Sequence, residues 1–246
     1  MTETWLLQAN QPVRRVERAP DAVLAADTWP RTVPAVQQLL ADGLDLTSLT
    51  VLVGENGSGK STLVEAVALA FGMSAEGGST GARHQTRESE SALHKDLRLV
   101  RGATASRWGF FLRAETMHGF YTYLEQNPGA HDPAFHELSH GESFLAILSS
   151  RVDEDGFYVL DEPESALSFS GVLALVGLLL SVTRGGRAQA VVATHSPLVA
   201  AIPGARLLEV GEWGWRESTW EDLTLVAQWR GFLSNPEAYL RHVTSI

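Results

Sequence analysis

Gly54-Glu55-Asn56-Gly57-Ser58-Gly59-Lys60-Ser61-Thr62 follows the spacing G-x-x-x-x-G-K-[ST], which cradles phosphate groups when a strand precedes it and a helix follows. Both flanks are present. Leu49-Thr50-Val51-Leu52-Val53 is an apolar run of strand length, and Leu63 to Phe71 reads as a packed helix closed by Gly72. Gly54, Gly57 and Gly59 allow a tight turn that brings successive N–H groups onto phosphate oxygens, at the start of a helix whose dipole favours negative charge. Lys60 reaches the β and γ phosphates as a point charge. Ser61 offers a short hydroxyl to Mg²⁺, which keeps most of its waters, and Thr62 supports the phosphates nearby. Glu55 to Thr62 is thus the candidate nucleoside-triphosphate loop.

Three blocks farther along bear on what that loop serves. Phe157-Tyr158-Val159-Leu160-Asp161-Glu162 is an apolar strand ending in two carboxylates. Strands buried on both faces read as continuous apolar runs, and parallel α/β sheets bind ligands at the carboxyl ends of their strands. Beside a phosphate loop, Asp161 is placed for the Mg²⁺ shell, usually through water, and Glu162 for polarising an attacking water. Alone, such a pair would be a solvated strand end. Gln189 to Pro197 is a second buried strand, ending in Thr194-His195-Ser196; its histidine is either a structural strand-end residue or a donor to the γ-phosphate or the attacking water. Leu138-Ser139-His140-Gly141-Glu142 opens an amphipathic helix from Ser143 to Arg151. Its spacing fits an ordinary capping box, Ser139 with Glu142, and equally an anion-binding helix start serving a nucleotide held by another subunit.

Composition narrows the class. A chain of 246 residues with 44% hydrophobic content can fill one large α/β core. Without cysteine there is no disulfide framework, thiolate metal site or thiol nucleophile. A cytoplasmic chain is the simplest expectation, since Met1 to Leu7 lacks the basic start and apolar length of a signal peptide. The longest apolar stretch, Ala166 to Val182, is broken by Ser168, Ser170 and Gly171 and reads as a buried helix with a short connection rather than a membrane span. A net charge of −10 argues against a broad nucleic-acid footprint.

Elsewhere the pattern predicts an early strand and a short helix near Ala35 to Leu40 within a Pro-punctuated N-terminal stretch, a Gly- and Ser-rich mobile loop from Met73 to Arg83, and strands at Leu97–Arg101 and Trp108–Arg113. His131, His136 and His140 do not make a convincing zinc site without cysteine in a loop-like stretch. Trp213, Trp215, Trp220 and Trp229 read as core or subdomain packing rather than a partner surface.

The order phosphate loop, Leu-Ser-His-Gly-Glu, Leu-Asp-Glu-Pro-Glu-Ser-Ala-Leu-Ser and Thr-His resembles the ATP-binding-cassette superfamily, with its Walker A, signature, Walker B, D-loop and H-loop motifs. It looks most like the compact bacterial ATPases whose signature reads Ser-His-Gly-Glu. The resemblance covers Leu49 to about Pro203. It implies a P-loop NTPase fold over 1–246, α/β, with a mostly parallel core sheet, an antiparallel β layer and a small helical subdomain over roughly 115–151. Lys60, Ser61 and Asp161 would hold Mg-ATP, Glu162 would be the hydrolytic base, and His195 would contact the γ-phosphate. Two subunits would sandwich two ATP molecules, with Ser139, His140, Gly141 and Glu142 of one capping the nucleotide of the other, to drive an unknown protein partner.

Departures from the family pattern set the alternatives. Transporter ATPases carry Gly-Gly-Gln where this chain has His140-Gly141-Glu142. No clear glutamine loop is present; Arg113, Glu115 and Gln85 compete for its place. The D-loop ends in Ser168 rather than Asp, and Met73 to Glu137 lacks the length and heptads of a chromosome-maintenance coiled coil. Two other readings are the ATP-hydrolysing subunit of a transporter, reaching a membrane only through another subunit, and a non-hydrolytic switch. Glu162 argues against the switch, which needs no base.

Overall fold

The computed structural model describes residues 10–25, 27–75, 77–80, 91–113, 145–146, 148–149 and 155–241. Ser139 to Glu142, Glu115, Gln85 and most of the expected helical subdomain lie outside the described residues. The centre of the molecule is a seven-stranded sheet in the order β10-β9-β3-β8-β7-β6-β4. Its strands are β3 (Leu49–Val53), β4 (Gly78–Ser79), β6 (Gly109–Arg113), β7 (Gly156–Asp161), β8 (Ala188–Thr194), β9 (Arg206–Gly211) and β10 (Gly214–Ser218). The pairs β9·β3, β3·β8, β8·β7 and β7·β6 are parallel, whereas β10 and β4 close the two edges antiparallel. A separate antiparallel sheet, β2-β1-β5, is formed by β1 (Arg15–Arg18), β2 (Leu44–Asp45) and β5 (Leu97–Val100).

Alternation along the buried strands divides the core into two layers. Val51, Leu160, Val192 and Leu112 face one cluster, packed by Val172, Leu175 and Leu179 of α3 (Phe169–Thr183). Leu52, Val159, Val191 and Phe111 face the other, packed by α1 (Pro34–Asp42) and α2 (Lys60–Phe71). This period of two, with β3, β7 and β8 buried at every position, is why the strands read as unbroken apolar runs. The small antiparallel sheet joins the α2 side, and buried Gln189 ties it down. Its amide accepts from Val13 N at 2.8 Å and donates to the carbonyls of Val13 and Thr47 at 2.7 and 2.8 Å. One side chain thereby satisfies groups that would otherwise be costly to bury.

Beyond β8 the chain forms α4 (Pro197–Ala200), the β9–β10 hairpin, α5 (Thr224–Ser234) and α6 (Pro236–Leu240). Three expectations are corrected. The apolar stretch after Ala166 forms α3, but it is buried on one face only: Phe169 and Leu173 are 67% and 49% exposed. Apolar content exceeded what a single layer of contact can cover. The Gly-rich stretch contains β4, whose Gly78 and Ser79 pair with Phe111 and Phe110, because an edge position needs only backbone groups. The tryptophans divide: Trp215 and Trp220 pack on the core, whereas Trp213 and Trp229 are exposed. No helix among the described residues is long and apolar enough to cross a membrane.

Candidate nucleotide site

Parallel register brings the sequence-predicted residues to one edge of the sheet. Arg113 pairs with Asp161, Asp161 with Ala193, and Val53 with Thr194, so the carboxyl ends of β6, β7, β8 and β3 stand side by side. The chain leaves β3 through Gly54–Gly59 and enters α2 at Lys60. Gly57 and Gly59 take φ of 82° and 99°, in the left-handed region that favours glycine. A side chain at Gly54 would run into the carbonyl oxygen of Val210 on β9. That close approach seats the loop on the sheet.

The loop has the features of an anion cradle. α2 begins without any side-chain cap. No side-chain cap thus occupies the N–H groups of its first turn, which are the groups an anion at a helix start would use. The Ser58 hydroxyl is buried and has no partner, an orphan that a phosphate oxygen would satisfy. Lys60, 3% exposed, donates to the carbonyls of Gly54 at 2.7 Å and Glu55 at 2.8 Å. Burial pushes its ammonium below the usual lysine range, against the upward pull of Glu162, Asp161, Glu164 and Glu55. Glu55, Asn56 and Gly57 are exposed at the tip, and Ser61 and Thr62 are half-buried.

The strand ends supply the complementary groups. Ser61 Oγ donates to Asp161 Oδ1 at 2.9 Å. Hydroxyl and carboxylate thus present two hard oxygens side by side, a donor set suited to Mg²⁺ with its remaining positions filled by water. Among the described residues, no cluster of three or more His, Cys, Asp or Glu side chains could hold a metal ion. Arg113 bonds Glu65 Oε2 of α2 at 2.7 Å, with its Nε 3.7 Å from Asp161 Oδ2. It places a cation between the phosphate-loop helix and the end of β7.

Glu162 follows Asp161 at φ 50°, the one described non-glycine residue with positive φ. Strain of this kind, of order 1–3 kcal/mol, persists where surrounding structure over-determines it. Here the Glu162 N–H bonds Ala193 O at 2.9 Å, and its carbonyl accepts from Ser165 N and Ser165 Oγ. The side chain stays partly exposed, with Oε1 3.5 Å from His195 Nδ1. Lys60, Ser61, Asp161, Glu162 and His195 are therefore brought together, as the motif spacing anticipates. Sequence reasoning missed the Glu65–Arg113 pair and Glu164, which stands two residues beyond Glu162 in the same Asp-Glu-Pro-Glu block and reaches the β8 end.

Comparison with known proteins places this geometry. Residues 83–201 match the family model described as "AAA domain, putative AbiEii toxin, Type IV TA system", and residues 44–109 match a second AAA-domain model. No curated protein matches the chain. Similar solved structures include a putative metal-chelate type ABC transporter in an inward-facing conformation (18% identity, 74% of this chain and 76% of that one, TM-score 0.44). The SMC head domain from Thermotoga maritima is similar at 17% identity (72% and 92%, TM-score 0.39). A component of an ABC transporter complex from Clostridium perfringens is similar at 15% (83% and 90%, TM-score 0.42). Sheet order, phosphate loop and strand-end carboxylates define a P-loop nucleoside triphosphatase. The two AAA-domain models match stretches of the chain, residues 83–201 and 44–109, that carry the phosphate loop and the strand ends, in keeping with an ATPase.

Proposed function

We propose that this ATPase binds and hydrolyses ATP with Mg²⁺ in an ATP-sandwiched homodimer, in the cytoplasm, and uses the cycle to drive conformational change in a protein partner. The observation that carries the reading is the convergence of Lys60, Ser61, Asp161, Glu162 and His195 at the carboxyl ends of neighbouring parallel strands.

In this reading Glu55 to Thr62 wrap the phosphates with backbone N–H groups. Lys60 gives up its two loop carbonyls for phosphate oxygens, exchanging neutral acceptors for charged ones. Ser61 and Asp161 would hold Mg²⁺, whose chemistry when bound is to neutralise charge on the phosphate oxygens. Glu162 takes a proton from water as its oxygen attacks the γ-phosphorus in line, while the bridging oxygen leaves with ADP. His195, 44% exposed at its side chain, faces Glu162 and donates to the γ-phosphate or the attacking water. Ser139 to Glu142 would cap the nucleotide bound by the partner copy, their N–H groups adding to charge stabilisation in the transition state.

Light scattering tests the assembly. Glu162→Gln, which retains ATP, is expected to run as a dimer with Mg-ATP and as a monomer or weaker dimer with ADP. Ser139→Arg should abolish that dimer and hydrolysis while leaving ATP binding at the loop intact. Equal mass of Glu162→Gln in both nucleotides, with normal activity of Ser139→Arg, would reduce Ser139 to a helix cap.

A further inference from the structure

Glu164 is a buried carboxylate beside the site for which the hydrolytic scheme has no use. It is 8% exposed and lies beyond Pro163, where the chain turns away from β7. Its Oε1 accepts from Thr194 Oγ1 at 2.5 Å and from the His195 backbone N–H at 3.0 Å. Thr194 Oγ1 in turn accepts from Ser196 N at 2.9 Å. One carboxylate oxygen therefore holds the end of β8 through three consecutive residues, directly or through one hydroxyl. The same oxygen lies 3.8 Å from His195 Nδ1, the ring nitrogen that also lies 3.5 Å from Glu162 Oε1, so both carboxylates approach one nitrogen of the ring.

A structural staple alone does not account for this residue. Burying a carboxylate is costly, and a well-packed apolar side chain would join the two loops at less cost. Moreover, Glu164 Oε2 is buried without a partner, which leaves half the carboxylate's acceptor capacity unused. What the carboxylate supplies is directional. An acceptor in the path of the His195 N–H fixes the backbone from which the imidazole projects, and the adjacent ring contact limits its rotation.

We propose that Glu164 is a positioning residue for hydrolysis: it clamps the Thr194-His195-Ser196 turn so that the His195 imidazole is held against Glu162. The proposal rests on the reading of His195 given above. In this scheme Glu164 acts through Thr194 and His195 rather than on the nucleotide, so its loss acts on turnover and spares ATP affinity.

The experiment compares Glu164→Ala, Glu164→Gln, His195→Ala and the Glu164→Ala/His195→Ala double variant in the full chain. Each is assayed for turnover, for ATP affinity by calorimetry, and for the His195 imidazole resonances by NMR. Glu164→Ala is expected to lower kcat about 10- to 100-fold, the scale of a misplaced group, with ATP affinity within about twofold of the parent. Glu164→Gln keeps an oxygen acceptor for both bonds and should recover turnover to within about threefold of the parent. The double variant should be no slower than His195→Ala alone, because the clamp acts only through that ring. In Glu164→Ala the His195 resonances should shift and broaden.

Parental turnover of Glu164→Ala overturns the proposal, as does a double variant whose losses multiply. A Glu164→Gln protein as slow as Glu164→Ala also overturns it, since charge rather than placement would then matter. If Glu164→Ala does not bind ATP, its own His195 resonances and the rate of Glu164→Gln decide: unmoved resonances in Glu164→Ala, or a Glu164→Gln turnover about tenfold or more below the parent, reject the clamp. Parental turnover of His195→Ala instead defeats the reading of His195. The NMR arm then still shows whether Glu164 holds the turn, and unmoved resonances reject the clamp independently.

Discussion

The two walls of the site are built in opposite ways. On the phosphate-loop side polar groups are unmatched or matched to makeshift partners: Ser58 Oγ has none, α2 has no side-chain cap, and Lys60 is turned back onto the loop's own carbonyls. On the strand-end side, Glu164 Oε2 apart, Glu162, Glu164, Thr194 and Ser196 take part in hydrogen bonds that tie the turn after β7 to the end of β8. Binding chemistry and reaction chemistry ask for different preparation. An anion cradle gains affinity by leaving donors unsatisfied until the anion supplies acceptors, whereas a proton-transfer site gains rate by fixing its groups in advance.

The largest effect that sharpens this contrast is loss of the base. Glu162→Gln preserves shape and the backbone bond to Ala193 but cannot take a proton, so turnover should fall by about 10² or more with ATP affinity unchanged. Multiple-turnover phosphate release together with calorimetry checks both halves. Parental turnover would mean that another group is the base and that the strand-end wall is only scaffolding.

Loss of Lys60 probes the other wall. Lys60 and Lys95 are the only lysines in the chain, and Lys95 lies far along the sequence in a 3₁₀ helix. Lys60→Ala should therefore lower ATP affinity about tenfold to a hundredfold, through loss of charged hydrogen bonds worth roughly 1.5–3 kcal/mol. Fold stability without nucleotide should hardly change, because the buried ammonium's bonds to loop carbonyls are offset by its desolvation. Calorimetry and thermal melts separate the two quantities. Unaltered Mg-ATP affinity would remove the loop from the binding site.

Much of this contrast could be read in the sequence, and the boundary falls for physical reasons. Strand β3, helix α2 and the loop between them were legible because glycines, lysine and apolar runs occur in a local order that few backbones permit. Asp161, Glu162 and His195 were legible because each ends an apolar strand, and parallel sheets gather strand ends. Glu164 and the Glu65–Arg113 pair were not. Their roles depend on which side chain reaches across from a neighbouring strand or helix, a matter of register and rotamer that spacing along one chain does not encode. The exposed face of α3 was misread for a related reason: composition reports apolarity, whereas burial on one side or all round is decided by what packs against the helix.

Arg113 tests where the two walls meet. Its guanidinium bridges Glu65 on the phosphate-loop helix to Asp161 at the strand end. A cation near Asp161 opposes the approach of a second cation. Arg113→Gln should lower the Mg²⁺ concentration needed for half-maximal activity by about three- to tenfold, an effect of roughly 1 kcal/mol. Spin-resonance titration of Mn²⁺ with a non-hydrolysable ATP analogue should shift the same way. A rise in the required concentration would show instead that Arg113 supports phosphate or metal binding.

The smallest effect concerns what holds the phosphate-loop wall from behind. Glu209 on β9 is paired with Val53, the last residue before the loop, and is buried. Its carboxylate accepts from the Thr224 N–H at 2.8 Å, at the start of α5, and from Arg216 Nε and Arg216 NH2 at 2.9 and 2.6 Å. Farther along α5, Gln228 reaches Glu55 in the loop at 3.4 Å. Burial pushes the Glu209 carboxyl upward, but the bonds from Thr224 and Arg216 outweigh it and hold the group below the usual carboxylate range. A carboxylate with a depressed native pKa adds stability that is fully present above its unfolded value, about 4.5, and is lost as pH falls through the depressed native value. Glu209→Gln should therefore cost about 1–2 kcal/mol in urea unfolding at neutral pH, where it exchanges charged hydrogen bonds for neutral ones. The gap between variant and parent should narrow as the medium is acidified below about pH 4.5, because the parent's carboxylate is then also losing its charge. ATP turnover at neutral pH should change by less than about threefold, since Glu209 supports the loop through α5 and touches no reacting group. A stability gap that stays constant from neutral to acid pH would show that the Glu209 charge contributes nothing, and that α5 is held against the loop by apolar packing of Leu223 and Val226 alone.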